Sequence, residues 1–413
     1  MGTNWTEQQC AVIDNRGGTL LVSAAAGSGK TAVLVERVLR RVSDPENPCD
    51  IDSFLIVTYT RAAAGEMRGK IAEALTELVT GHPDNVHLRR QLMLVHRAQI
   101  TTVHAYCMSL LREHYNELGL PPDFGMLDES QAEHIRTEVL EEVLERRYGQ
   151  QDEGFDLLAD VMGAGRDDKK LMDVVLETYQ TLQCSPNPRA ELMRYRDSFC
   201  TPFDRFADTP WGQELIEKAA SMTECGLRIL RSAMDEMDTD PDLKEKYRPA
   251  FEQDERDAKT LLTLLRDGAW DAAAEQCSAL IRKRKRLGAM RKYPDPEFLQ
   301  RLKDMRELWK SLSKEISEKV LCLKEEEIRE DFERMAPAVA ALCDTVQEFS
   351  DAFYAEKQRR ALLDFNDLEH NALALLVEED GSPTRLAQEI HFTEIWWTNI
   401  RIPTRYRTRF SAP

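Results

Sequence analysis

Ala24-Ala-Ala-Gly-Ser-Gly-Lys-Thr31 gathers small residues, two glycines, a lysine and a hydroxyl side chain into eight consecutive positions. That combination suits a chain of phosphates. Backbone N–H groups of Gly27, Ser28 and Gly29 can converge on a β-phosphate, helped by the positive end of a following helix. Lys30 would reach the β- and γ-phosphates, and the Thr31 hydroxyl would ligate Mg²⁺. The expected nucleotide-binding residues are therefore Ala24, Ala25, Ala26, Gly27, Ser28, Gly29, Lys30 and Thr31. Ala24 stands where the pattern usually begins with glycine.

Elements must hold such a loop in place. Thr19-Leu-Leu-Val22 reads as a short buried strand leading into it, and Ala32-Val-Leu-Val-Glu-Arg-Val-Leu-Arg40 follows at helical spacing. Phe54–Thr58 reads as a second buried strand, followed by an alanine-rich helix from Arg61 to about Thr80. Ile100–Val103 reads as a third strand, with a helix beginning near His104. Strands alternating with helices predict a parallel sheet with helical crossovers.

From about Leu120 the pattern changes. Glu133–Arg147, Lys170–Leu182, Gly212–Met234 and Pro296–Leu312 carry apolar residues three and four apart. Pro186, Pro188, Pro241, Pro294 and Pro296 mark helix breaks. Glu326–Arg360 reads as one long helix that Pro337 should kink or divide. Near Leu362 the pattern returns to α/β, with Asp364 as a helix N-cap and His391–Ile395 opening another strand. The expected fold is an α/β P-loop domain with a parallel sheet, interrupted by a large all-helical insertion. The expected boundaries are 1–118, 119–360 and 361–395, with 396–413 as a tail of different character.

The 413 residues carry a net charge of −18, which excludes blanket nucleic-acid binding and confines any such contact to a local surface. Arg282-Lys-Arg-Lys-Arg286 is the strongest basic run; it is either a solvated helix face or a surface tracking duplex phosphates. Nine scattered cysteines without a C-x-x-C pair point to reduced thiols. No apolar run is long enough to span a bilayer, and the N-terminus lacks the features of a signal peptide. These traits predict a soluble, cytoplasmic protein.

Further motifs lie at set intervals from the loop: Trp5-Thr-Glu-Gln-Gln9, with Gln9 twenty-one residues before Lys30, then Thr58-Tyr-Thr-Arg-Ala-Ala-Ala-Gly-Glu-Met67 and Ile100-Thr-Thr-Val-His-Ala-Tyr-Cys107. With the phosphate loop they resemble the first half of superfamily 1 helicases of the UvrD/Rep type. Within these the chain is most similar to the AddA family, helicase–nuclease subunits of recombination complexes. The resemblance is dense in residues 5–115, looser through the helical block, and returns in 361–395. It implies a RecA-like fold, ATP and Mg²⁺ as ligands, single-stranded and duplex DNA as partners, an AddB-type partner protein, and a role in double-strand break repair and recombination. Gln9 would read the adenine edge, where a side-chain amide can donate and accept. Thr58, Tyr59, Thr60 and Arg61 match a motif that lies against single-stranded DNA. The family usually has phenylalanine and asparagine where this chain has Tyr59 and Arg61. Tyr59 is either a stacking platform or a core tyrosine at a strand end. Thr102 and His104 match the next DNA-facing motif, and no partner carboxylate for His104 is evident from the sequence. Arg282, Lys283, Arg284, Lys285 and Arg286 complete the candidate DNA contacts.

The helicases that the chain resembles need a carboxylate motif, DEYQDTN, after an apolar strand; its aspartate holds Mg²⁺ and its glutamate positions water. Here Phe392-Thr-Glu-Ile395 enters such a strand, but a basic stretch without carboxylates follows from Trp396. The pair Trp396-Trp397 is encoded TGGTGG, and reading from the third base of the first codon forces valine and then aspartate. The codons beyond permit Glu-Tyr-Gln-Asp-Thr-Asn. Restoring one lost base after Ile395 gives EILVDEYQDTN, so residues 396–413 are expected to be a frameshifted tail. No intact catalytic residue is expected, and the cradle should bind ATP while hydrolysing it poorly. Two alternatives stay open: a P-loop kinase or other small-molecule NTPase with a helical lid, and a non-enzymatic helical adaptor with a vestigial loop.

Overall fold

The structure, a computed structural model, describes residues 4–25, 27–163, 168–238, 240–290 and 293–398. The chain folds into two compact units, Met1–Ile135 with Tyr354–Pro413, and Arg136–Phe353.

In the first unit, helices α1 (Glu7–Asp14), α2 (Lys30–Val42), α3 (Arg61–Gly81), α4 (Val86–Leu94) and α5 (Val103–Glu113) accompany a parallel sheet. Its strands are β1 (Phe54–Thr58), β2 (Gln99–Thr102) and, from the far end of the chain, Glu394–Trp397. β1 lies in the middle, with Ile56 beside Ile100 and Leu55 beside Ile395. All five β1 residues are buried, as a strand covered on both faces requires. Val35, Val38 and Val42 of α2 and Ile71 and Leu75 of α3 pack with Phe54 and Ile56 into one core. Each such side chain, fully buried, contributes roughly 1.5–3 kcal/mol. A second core joins Leu110 and Leu111 of α5 to Leu363, Leu368 and Leu375. Beside it the two-residue strands Gly125–Met126 and Leu362–Leu363 pair in parallel.

One predicted strand is not formed. Residues 19–22 have no strand geometry, and Leu20, Leu21 and Val22 are about half exposed. An apolar run becomes a strand only where a sheet edge accepts its N–H and C=O groups. The described sheet ends at Glu394–Trp397, and no backbone hydrogen bond joins residues 19–22 to it among the described residues.

The second unit is helical. Pro188, Pro210, Pro241 and Pro296 each sit in a first helical turn, where the missing N–H costs nothing. Phe251, Leu227, Leu230, Leu302 and Trp309 lie in its main core. Gly226 is required by close approach, because a Cβ there would fall 2.2 Å from the Trp309 ring. The long helix spans Glu325–Arg359 with Pro337 inside it, so of the expected kink or division at that proline the division does not occur. No helix among the described residues is long and apolar enough to cross a membrane.

Candidate nucleotide and nucleic-acid site

The phosphate loop ends where α2 begins. Gly27 and Gly29 both have φ near +79°, a left-handed backbone that glycine adopts without strain. Gly29 caps α2 without any side-chain hydrogen bond, whereas Thr6, Thr60, Asn85 and Thr102 cap α1, α3, α4 and α5 with theirs. The first N–H groups of α2 are thus left to an outside acceptor, with the helix dipole behind them. The Lys30 ammonium folds back over the loop, donating to the carbonyls of Ala24 and Ala25 at 2.7 Å each. Ser28 N–H donates to Ala25 O at 3.3 Å. Ala26 lies outside the described residues.

Gln9 reaches this loop from α1. Its Oε1 accepts from Thr6 N–H in a capping box, and its Nε2 donates to Ser28 O at 3.3 Å. The amide expected to read a base edge is therefore shared with local structure, while still touching the loop. Gln9, Ala24, Ser28, Lys30, Thr31, Tyr59 and Thr398 all line one broad cleft.

The residues after β1 divide. Thr58, expected against DNA, is instead buried, and its hydroxyl donates to Thr60 O at 3.0 Å. Thr60 caps α3 by accepting from Ala63 N–H. Thr102 does the same for α5 with Ala105 N–H. Local backbone satisfaction uses all three hydroxyls. Tyr59 points the other way and is 78 % exposed, so it is not a core tyrosine. Arg61 is exposed on the first turn of α3.

His104 has a carboxylate partner that sequence reasoning missed. Its Nε2 lies 3.2 Å from Glu369 Oε1, and its ring packs against Phe365 at 4.7 Å between centroids. Phe365 is itself 55 % exposed, adding an aromatic face beside His104. Both partners come from the helix Phe365–Leu376, which Asp364 caps in a capping box with Asp367. Lys357, almost fully buried, donates to Asp364 and Asp367 at 2.7 Å each and fixes that helix start. The Asp364 cap could be seen locally in the sequence; the approach to His104, far away along the chain, could not.

The basic run lies in the second unit and is not one helix face. Its helix, Trp270–Arg282, ends where the run begins. Lys283, Lys285 and Arg286 are exposed, whereas Arg284 turns inward toward Asp254 and leaves only 11 % of its side chain exposed. Arg284 is thus no open contact on a solvated face.

Past the strand Glu394–Trp397, Thr398 donates N–H to Val57 O at 2.9 Å. Thr398 stands at the position where the sequence reading expects the metal-binding aspartate. Residues 399–413 lie outside the described residues.

The model of the UvrD/REP helicase N-terminal domain matches residues 5–395. The chain belongs to the UvrD/Rep helicase family. Among similar proteins of known name, the A subunit of the ATP-dependent helicase/nuclease of Acetivibrio thermocellus is 36 % identical over 393 residues, covering 93 % of this chain and 31 % of that protein. The protein of the same name from Pelotomaculum thermopropionicum is 36 % identical over 406 residues, covering 96 % and 32 %. That from Ruminiclostridium cellulolyticum is 35 % identical over 405 residues, covering 95 % and 32 %. The chain spans about a third of the length of these relatives. Membership of the UvrD/Rep family sets aside the small-molecule kinase alternative.

Proposed function

We propose that this chain is the ATP-binding and DNA-gripping first part of an ATP-dependent DNA helicase, an AddA-like helicase–nuclease protein of double-strand break repair and recombination. The observation that carries this reading is the shared cleft. It brings Gln9, the phosphate loop and the exposed Tyr59 together, though they come from α1, the start of α2 and the end of β1. A cradle for a triphosphate beside an exposed aromatic is what a motor that couples nucleotide to single-stranded DNA requires. The parallel sheet and loop position support a RecA-like domain.

The residues suit ATP better than a complete metal site. Uncapped N–H groups, Lys30 and glycines in left-handed conformation fit the phosphates, and Thr31 offers Mg²⁺ one protein ligand. The expected second ligand is a carboxylate, and the chain carries Thr398 there. The family match ends at Ile395, where the carboxylate-free stretch begins. Bound Mg²⁺ would neutralise phosphate charge. This chain's own contribution is to bind and orient ATP, with weak hydrolysis. A frameshift after Ile395 accounts for the stretch, and an AddB-type protein is the proposed partner.

Melting of the purified chain with and without ATP, and fluorescence anisotropy with a labelled oligothymidine, test the reading together. Stabilisation by ATP and binding of the oligothymidine are expected; absence of both overturns it. DNA-stimulated phosphate release above that of Lys30→Ala would contradict weak hydrolysis alone. Sequencing the coding DNA past codon 395 tests the frameshift.

A further inference from the structure

Asp254 and Arg306 form a buried pair in the helical unit, 3 % and 2 % exposed, with Nε–H donating to Oδ2 at 2.7 Å. Taken alone, the pair is neutral. Arg284 adds a second guanidinium. Its Nε lies 3.6 Å from the other Asp254 oxygen, beyond hydrogen-bond reach, and is buried with no hydrogen-bond partner. Its terminal nitrogen donates to the Ser313 hydroxyl at 2.8 Å, a neutral group. One carboxylate therefore faces two desolvated guanidiniums. Burial holds the Arg284 guanidinium below its ordinary range; Asp254, and less strongly Glu307, oppose that shift, and Arg306 adds to it. An uncompensated buried charge is costly unless a counter-charge arrives.

The surroundings favour one. Arg284 lines a cavity of about 450 Å³ together with Arg282, Lys310, Lys314, Ser278 and Ser317. Glu318, the one carboxylate in the wall, lies 3.7 Å from Lys314, and Glu307 pairs with Lys310 from outside it. Arg282 has no carboxylate partner among the described residues. Four cations face one carboxylate here, in a chain whose net charge is −18.

We propose that this cavity binds a phosphoryl group, with Arg282, Arg284, Lys310 and Lys314 supplying charge and Ser278 and Ser317 supplying hydroxyl donors. A backbone phosphate of duplex DNA and free phosphate share that chemistry. The DNA source rests on the helicase reading; the anion site itself does not.

The test uses the full chain carrying Lys30→Ala, so that the phosphate loop contributes nothing, with and without Arg282→Gln/Lys314→Gln. Both added substitutions replace exposed side chains, and a charge-matched Lys244→Gln/Lys259→Gln variant controls for net charge. Melting is followed in inorganic phosphate against chloride at equal ionic strength. Binding of a blunt hairpin duplex is followed by anisotropy across a salt series. The expected result is that Arg282→Gln/Lys314→Gln loses the phosphate stabilisation that the control keeps. If DNA is the source, it also binds the hairpin roughly five-fold more weakly, with a salt slope lower by about 0.9 for each DNA phosphate no longer neutralised. Loss in the phosphate arm alone assigns the site to free phosphate. Equal behaviour of both variants in both arms overturns the site. Failure of the helicase reading would instead appear as no oligothymidine or ATP binding by the chain with Lys30 intact.

Discussion

The Arg37 guanidinium grips both carboxylate oxygens of Glu394, Nε to Oε2 at 2.9 Å and Nη2 to Oε1 at 3.1 Å. The pair joins α2, the helix behind the phosphate loop, to the strand contributed by the far end of the chain. Arg41 Nε lies 3.1 Å from the same carboxylate, and the Trp396 ring lies 5.0 Å beneath the Arg37 guanidinium. With side chains 9 % and 15 % exposed, the ions are largely out of water. Glu394→Ala should therefore lower stability by about 3–5 kcal/mol, since it strands two cations. Urea denaturation checks this; a loss below about 1 kcal/mol, the scale of an exposed pair, would mean the strand does not depend on it.

Lys30 is exposed, and its substitution should act on ligand rather than fold. Lys30→Ala should melt like the parent without nucleotide and lose the stabilisation that ATP gives the parent. That stabilisation is about 2.7 kcal/mol at a hundredfold excess over Kd. An equal ATP shift in the variant would remove Lys30 from the phosphate site.

Tyr59 supplies a similar separation for DNA. Tyr59→Ala should weaken oligothymidine binding by about 1–3 kcal/mol, roughly five- to 150-fold, with melting unchanged because the side chain is exposed. Tyr59→Phe should retain binding, since stacking uses the ring face. If both variants bind like the parent, the stacking role fails.

Buried thiols give a pH-dependent expectation. Burial pushes Cys107, Cys277 and Cys343 up to about 11. The unfolded chain ionises these thiols first, near their ordinary value of 9.0, so their contribution to stability is complete below that pH. It is lost as pH rises through about 11. Denaturation at about pH 8 and about pH 10.5, on either side of the unfolded value, should show the decline. Cys→Ser changes at these positions should reduce it. At neutral pH a thiol reagent should label exposed Cys184 and Cys322 quickly, and these three only on unfolding.

The sequence was most legible where structure is local. β1 runs from Phe54 to Thr58 as its apolar run predicts, and Asp364 caps its helix. Residues 19–22 look equally strand-like, yet a strand also needs a neighbour, and neighbours come from tertiary structure. The hydroxyls of Thr60 and Thr102 were readable as helix caps, because each stands just before an apolar helical run. The same two positions match DNA-facing motifs of the helicases that the chain resembles. Arg284 could not be separated from Lys283 and Lys285 by sequence, because its inward turn depends on Asp254, in the distant helix Arg248–Arg266.

The two carbonyls that hold the Lys30 ammonium are provided by the same loop that would surround a triphosphate. Under the proposed ATP-binding reading, nucleotide entry at this loop would be a ligand exchange on one nitrogen, in which incoming oxyanions displace the carbonyls of Ala24 and Ala25. A weakly charged anion would compete less well with these two charge-assisted bonds than a polyphosphate would. On that reading the lysine would set an affinity threshold, muting the response to small anions before any contact with the base is made.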